Sequence, residues 1–129
     1  MWNFIKSRVR SFGNAFRGFW YVLRTQRNAW IHAVIAAMVF VLSLWLRLDA
    51  RDWTVIILTT AMVFTAEFLN TAIEAVVDLA SPRKHPLAKV GKDVGAAAVL
   101  IAALAAILVG LLILGPPLWA RLAPLFTRH

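Results

Sequence analysis

The sequence has no cysteine, which excludes disulfides, thiolate metal centres and thiol catalysis. Acidic residues are scarce, 6 Asp+Glu against 14 Lys+Arg, for a formal net charge of +8. The phosphate-cradling pattern GxxxxGK[ST] is absent, since Gly91-Lys92 lacks the remainder of that loop. No nucleic-acid-binding motif accompanies the basic balance, so nucleic acid is not an expected partner. What is abundant is apolar: 61% of residues are hydrophobic and the mean hydropathy is +0.74, against roughly 45–50% apolar in soluble domains. This excludes an ordinary soluble globule and a disordered basic tail. A small membrane protein remains, with its charge outside the apolar runs.

Three runs carry little or no charge. They cover about 31–46, 53–79 and 94–114. A membrane-spanning helix needs about 20 apolar residues, so the first run requires Asn28, Ala29 and Trp30 to reach the surface. All five prolines (Pro82, Pro86, Pro116, Pro117 and Pro124) lie outside these runs, as continuous helices prefer. Trp30, Trp45, Trp53 and Trp119 stand near their ends, where amphipathic rings favour the interface. A cleaved signal is not expected, because the basic stretch before the first run is long and no small-residue cleavage site follows it. The organisation expected is a basic helix over 1–29, a three-helix core over 30–115 (about 30–46, 53–79 and 94–114) and a proline-containing tail over 116–129.

Lys6, Arg8, Arg10, Arg17, Arg24 and Arg27 precede the first span, and Arg83, Lys84, Lys89 and Lys92 lie between the second and third. The other side has Arg47 and Arg51, offset by Asp49 and Asp52, and the tail has Arg121 and Arg128. The positive-inside rule then places the amino terminus and the second connection in the cytoplasm and the carboxyl terminus outside. At about 100° per residue, Lys6, Arg10, Arg17 and Arg24 fall on one line of the amino-terminal helix. Phe12, Phe16, Phe19 and Leu23 fall on a separate stripe. This is the pattern of a surface helix with its basic side towards lipid or nucleotide phosphates; membrane anchoring alone would also account for it.

The second run contains residues that a membrane span should not carry. Glu67, Asn70, Glu74 and Asp78 are spaced 3, 4 and 4, which keeps all four on one helical face. A charge at the bilayer centre costs at least about 2.5–3.5 kcal/mol on insertion scales. No basic residue of the same run offsets three carboxylates, so protons, groups from neighbouring helices or a divalent cation must do so. Glu67 lies about 21 Å along the helix from Trp53, in the inner part of a roughly 30 Å core, and Glu74 and Asp78 lie nearer the cytoplasm. The stripe therefore opens towards the cytoplasm, beside Arg83, Lys84, His85, Lys89, Lys92 and Asp93. Clustered carboxylates with an amide, next to lysines, suit Mg²⁺ and a polyphosphate. A lysine can neutralise charge on a phosphoryl group in transfer, and a glutamate can act as base towards a hydroxyl arriving from the membrane. Two alternatives stand beside this one. A small proton-coupled transporter would use intramembrane glutamates, and a non-enzymatic membrane subunit would leave the stripe unexplained. His32 and His85 read as surface groups near the interfaces, and Gly95, Ala96, Ala97 and Ala98 as a run permitting close helix packing.

The residues E-F-L-N-T-A-I-E-A-V-V-D (67–78) followed by A-K-V-G-K-D (88–93) closely resemble the signature of the prokaryotic diacylglycerol kinase family, which includes diacylglycerol kinases and undecaprenol kinases. The likeness extends upstream to S-F-G-N-A-F-R-G (11–18) and R-N-A-W-I-H (27–32) and covers about 10–114. The resemblance implies an all-α membrane protein with an amphipathic surface helix and three transmembrane helices, assembled as a homotrimeric bundle with composite sites between subunits. It implies an ATP-dependent lipid kinase of the cytoplasmic membrane, with Mg²⁺ as cofactor. Glu67 would be the general base, and with Asn70 would meet the lipid substrate. Glu74 would bind Mg²⁺. Asn70, Asp78, Lys92 and Asp93 would organise the nucleotide or its phosphates, with Arg10 and Arg17, and also Arg8, towards ATP or headgroups. The chain departs from the family at Gln26, where members commonly carry a metal-binding glutamate, and at Asn14, often a tyrosine beside the adenine. The N-T-A-I-E and H-P-L-A-K wording looks more like the undecaprenol branch.

Overall fold

A computed structural model describes residues 1–126 of the chain; Arg128, counted above with the tail, lies outside them. The described residues form four helices: α1 (Trp2–Thr25), α2 (Arg27–Leu46), α3 (Ala50–Ala80) and α4 (Pro86–Phe126). The last three are long and apolar enough to cross a membrane. At 1.5 Å per residue α2 is about 30 Å long, α3 about 46 Å and α4 about 62 Å. Only α2 matches a hydrocarbon core of roughly 30 Å. The other two exceed it, and the polar residues at the end of α3 and the start of α4 stand where the excess length can leave it.

α2 begins at Arg27, so its span does draw on Asn28, Ala29 and Trp30. It is separated from α1 by a single extended residue, Gln26 (φ −104°, ψ 112°). No proline or glycine marks this break. It falls where the basic, aromatic sequence of α1 gives way to the almost uniformly apolar sequence of α2. The backbone stays satisfied across it: Gln26 N–H donates to the Val22 carbonyl at 2.9 Å, and Trp30 N–H donates to the Gln26 carbonyl at 3.4 Å. Val22 and Ala29 are buried on either side of the joint.

The link from α2 to α3 is a tight stop followed by a cap. Arg47 is left-handed (φ 57°, ψ 49°); its N–H donates to Leu44 O at 3.1 Å, and Leu48 N–H donates to Ser43 O at 3.2 Å. That pairing is a Schellman motif, which satisfies the terminal carbonyls. Asp49 Oδ1 then accepts from Arg51 N and Asp52 N, both at 2.9 Å, and caps the first turn of α3.

The core is thin and small. α3 and α4 form the principal packed pair, and Ile56 and Val63 of α3 and Val99, Ala102 and Leu114 of α4 are buried apolar residues. The small residues of α4 at 95–98 allow the two backbones to approach, as in membrane bundles generally. Large apolar side chains such as Leu104, Leu108 and Leu112 stay exposed, whereas Ser43, Glu67, Asn70 and Thr71 are buried. This inverted distribution suits a hydrocarbon solvent, where the outer surface is apolar and polar groups must find partners inside.

The proline-containing segment is helical as far as it is described: α4 runs on through Pro116, Pro117 and Pro124 to Phe126. Each proline removes one backbone donor, leaving the Leu112, Ile113 and Ala120 carbonyls without their usual partner. Where a helix leaves the hydrocarbon, water can serve them. The extension is also held sideways, because the Arg121 guanidinium sits 4.7 Å from the centre of the Trp45 ring at the far end of α2. Replacing the cap tests the α2–α3 link: Asp49→Ala is expected to lower stability by about 1 kcal/mol, measured by reversible denaturation in micelles, with helix content unchanged.

Candidate active site

The acidic stripe of α3 is a gradient of burial. Glu67 is 2% exposed and Asn70 9%, Glu74 is half-buried, and Asp78 is exposed. The gradient runs towards the end of α3 that meets α4. Asn70 Nδ2 donates to Glu74 Oε1 at 3.1 Å, so the amide and the second carboxylate act as one unit. Thr71 sends its hydroxyl back to the Glu67 carbonyl at 2.9 Å and contributes nothing to the stripe.

α4 supplies the cations. Lys92 Nζ reaches Asp78 Oδ1 at 2.6 Å across the helix pair. Lys89 and Asp93 pair within α4 at 2.7 Å. These residues, together with Arg83, Lys84 and His85, line an open recess of about 690 Å³ at the α3–α4 turn. The turn is shaped by Ser81, whose N–H donates to Val77 O at 2.8 Å and whose hydroxyl donates to Arg83 O at 2.9 Å. His85 caps the start of α4: its Nδ1 accepts from Leu87 N at 3.2 Å and its carbonyl from Lys89 N at 3.1 Å. His85 is thus a helix cap as well as a recess residue.

Of the residues expected at the site, the structure brings Glu67, Asn70 and the half-buried Glu74 into one row and Asp78, Lys92 and Asp93 into one recess beyond it. Arg10 and Arg17 are exposed on α1, where Arg17 hydrogen-bonds Asn14 on its own helix. Gln26 sits at the α1–α2 break. Among the described residues no three His, Asp or Glu side chains converge as a complete metal centre within one chain. α1 is tied to the site region by Phe19, whose ring meets Phe68 edge-on at 5.4 Å.

Two residues stand closer to the site than their sequence context implies. Gly95 lies against Asn70 so closely that a Cβ there would collide with Asn70 Oδ1, an enclosed oxygen with no hydrogen-bond partner among the described residues. Gly95 therefore does more than ease helix packing; it leaves room for this amide. His32, read from sequence as an interface group, instead points inward from α2. Its Nε2 stands 3.2 Å from Glu67 Oε1, without the alignment of a full hydrogen bond. The signal was present: His32 is the one basic residue inside the three apolar runs, and a buried carboxylate needs a partner from another helix.

The model of the prokaryotic diacylglycerol kinase family matches residues 13–114. The chain belongs to that family. An undecaprenol kinase from Bacillus subtilis is 42% identical over 109 residues, covering 84% of this chain and 89% of that protein. A diacylglycerol kinase from Synechocystis is 42% identical over 118 residues, 91% of this chain and 67% of that protein. One from Escherichia coli is 37% identical over 95 residues, 68% of this chain and 78% of that protein. As a member of the prokaryotic diacylglycerol kinase family the chain is a membrane lipid kinase, a transferase with an alcohol acceptor, and the transporter alternative has no support.

The Gly95 contact makes a direct prediction. Gly95→Ala should displace the Asn70 amide rather than break α4, since alanine is the better helix former by about 1 kcal/mol. Phosphoryl transfer is expected to fall at least about 10-fold, because displacements near 1 Å can cost about 100-fold, while the unfolding midpoint in micelles holds or rises.

Proposed function

We propose that the protein transfers the γ-phosphoryl group of ATP to the hydroxyl of undecaprenol, with diacylglycerol as the second candidate, at the cytoplasmic face of the inner membrane. The observation that carries this reading is the row of Glu67, Asn70 and Glu74 ending at a cationic recess. A buried carboxylate suits a hydroxyl dissolved in the bilayer, and an exposed set of lysines and arginines suits a polyphosphate in water. The two substrates come from opposite phases and must meet where these environments join.

In the reaction, the acceptor oxygen forms a bond to the γ-phosphorus and the bond from that phosphorus to the β,γ-bridging oxygen breaks, releasing ADP. Glu67 takes the hydroxyl proton as general base. Asn70 orients the acceptor and holds Glu74. Lys92 draws the transferring group and its charge towards the recess, with Asp78 and Asp93 fixing the two lysines. Arg10 and Arg17 of α1 lie along the phosphates or headgroups. The Glu74 carboxylate, half-buried and already oriented by Asn70, fits an Mg²⁺ ligand, because that ion usually takes one or two carboxylates and completes its shell with phosphates and water. Gln26 offers an amide oxygen as a weaker second ligand. When bound, the ion supplies charge neutralisation on the phosphates.

We assign a homotrimer with sites completed between subunits. In support, one chain leaves long apolar faces on α2 and α4 exposed and supplies only part of a metal shell. The amino terminus lies in the cytoplasm, with α1 amphipathic along the surface, and the carboxyl terminus lies outside, following the distribution of Lys and Arg.

With labelled ATP and Mg²⁺ in mixed micelles, and undecaprenol and diacylglycerol in competition, undecaprenyl phosphate is the expected main product. Glu67→Gln should reduce the rate by about 10²- to 10⁴-fold. Absence of labelled lipid from folded protein would contradict the proposal. Gln26→Glu should lower the Mg²⁺ concentration for half-maximal activity several-fold, read from an Mg²⁺ titration; an unchanged midpoint would remove Gln26 from the metal shell.

A further inference from the structure

We propose that His32 is a positioning residue for Glu67: its imidazole, reaching from α2 to α3, holds the carboxylate in the orientation that accepts the proton of the lipid hydroxyl. The inference deepens the kinase reading above and rests on it.

Geometry comes first. Glu67 Oε1 is enclosed, with no aligned hydrogen bond among the described residues, and His32 Nε2 is 3.2 Å away. The carboxylate is 2% exposed and the imidazole 19%. The ring also borders an apolar cleft of about 490 Å³ between α2, α3 and α4, lined by Ile35, Val39, Val63 and Phe64 among others. Water is poorly placed to substitute for the imidazole there, and in such low-dielectric surroundings a polar contact is stronger than in water.

The chemistry follows from the side chains. A glutamate turns about three side-chain bonds, and the neighbouring turns of α3 offer Glu67 only other acids, Asn70 and Thr71, whose hydroxyl is donated to the Glu67 backbone carbonyl. Asn70 is already engaged, donating to Glu74. A restraint on Glu67 must therefore come from another helix, and His32 supplies it. With Nε2 facing Oε1, Oε2 is left for the acceptor hydroxyl. The proton passes from that hydroxyl to Glu67, and His32 neither gains nor loses one; it acts through the carboxylate. Because the link crosses from α2 to α3, it also ties the base to the helix that follows the Gln26 break.

The test compares His32→Leu and His32→Gln with the wild type, in the presence and absence of Glu67→Gln, using purified protein in mixed micelles. Leucine removes the donor and keeps much of the volume. Glutamine returns an N–H close to the place of Nε2. His32→Leu is expected to lower kcat about 10- to 100-fold, with KM for ATP and for the lipid within twofold of wild type. His32→Gln should recover at least a third of the wild-type kcat. In the Glu67→Gln background, His32→Leu should cost less than twofold further, because the group it positions is gone. A structural role would appear as equal loss in both backgrounds and as no recovery with glutamine, and either result would overturn the proposal. A wild-type kcat in His32→Leu would overturn it while leaving the kinase reading intact. A wild-type protein that phosphorylates no lipid would overturn both.

Discussion

A carboxylate buried in a membrane helix cannot stand alone. Charge at the bilayer centre costs several kcal/mol even on lenient scales, and α3 presents two glutamates and an aspartate on one face. The architecture follows from how each is compensated. Glu67, the deepest, is met by His32 from α2. Glu74 is held by Asn70 from the preceding turn. Asp78, at the wet end, is paired with Lys92 from α4. The three partners change from imidazole to amide to ammonium as the row passes from its buried to its exposed end.

That sequence of partners depends on close approach of α3 and α4. The approach is possible because α4 carries glycine and alanines at 95–98, and at Gly95 it leaves no room for a Cβ beside Asn70. Asp78, Lys89, Lys92 and Asp93 stand at the adjoining ends of these long helices and line the recess at their turn. One packed pair thus creates both halves of the proposed site: a dry row for the lipid hydroxyl and a charged recess for the phosphates. The far ends of α2 and α4 are fixed separately by Arg121 over Trp45, distant from the chemistry.

Much of this was legible in the sequence because it is written in spacing along single helices. The three spans follow from apolar run length, and the Glu67–Asn70–Glu74–Asp78 face from intervals of 3 and 4. What escaped is tertiary or depends on context. His32 looked like an interface residue because its partner is on another helix, 35 positions along the chain. Gly95 looked like general packing because the atom it shelters belongs to α3. The break at Gln26 carries neither proline nor glycine. Pro116 and Pro117 ordinarily signal a helix end, yet α4 continues through both to Phe126. The family resemblance names the reaction, and the physical reading explains why such residues stand in a membrane helix.

The central claim is that the acidic row opens towards the compartment that holds ATP. The absence of cysteine makes its test clean, since single-cysteine variants have no background. Lys84→Cys, in the recess, and Ala50→Cys, at the opposite end of α3, can be exposed in intact cells to a membrane-impermeant maleimide. Labelling of Ala50→Cys in intact cells, with Lys84→Cys reacting only after lysis, is the predicted result. Labelling of Lys84→Cys in intact cells while Ala50→Cys stays protected would place the recess on the outer face and contradict the account.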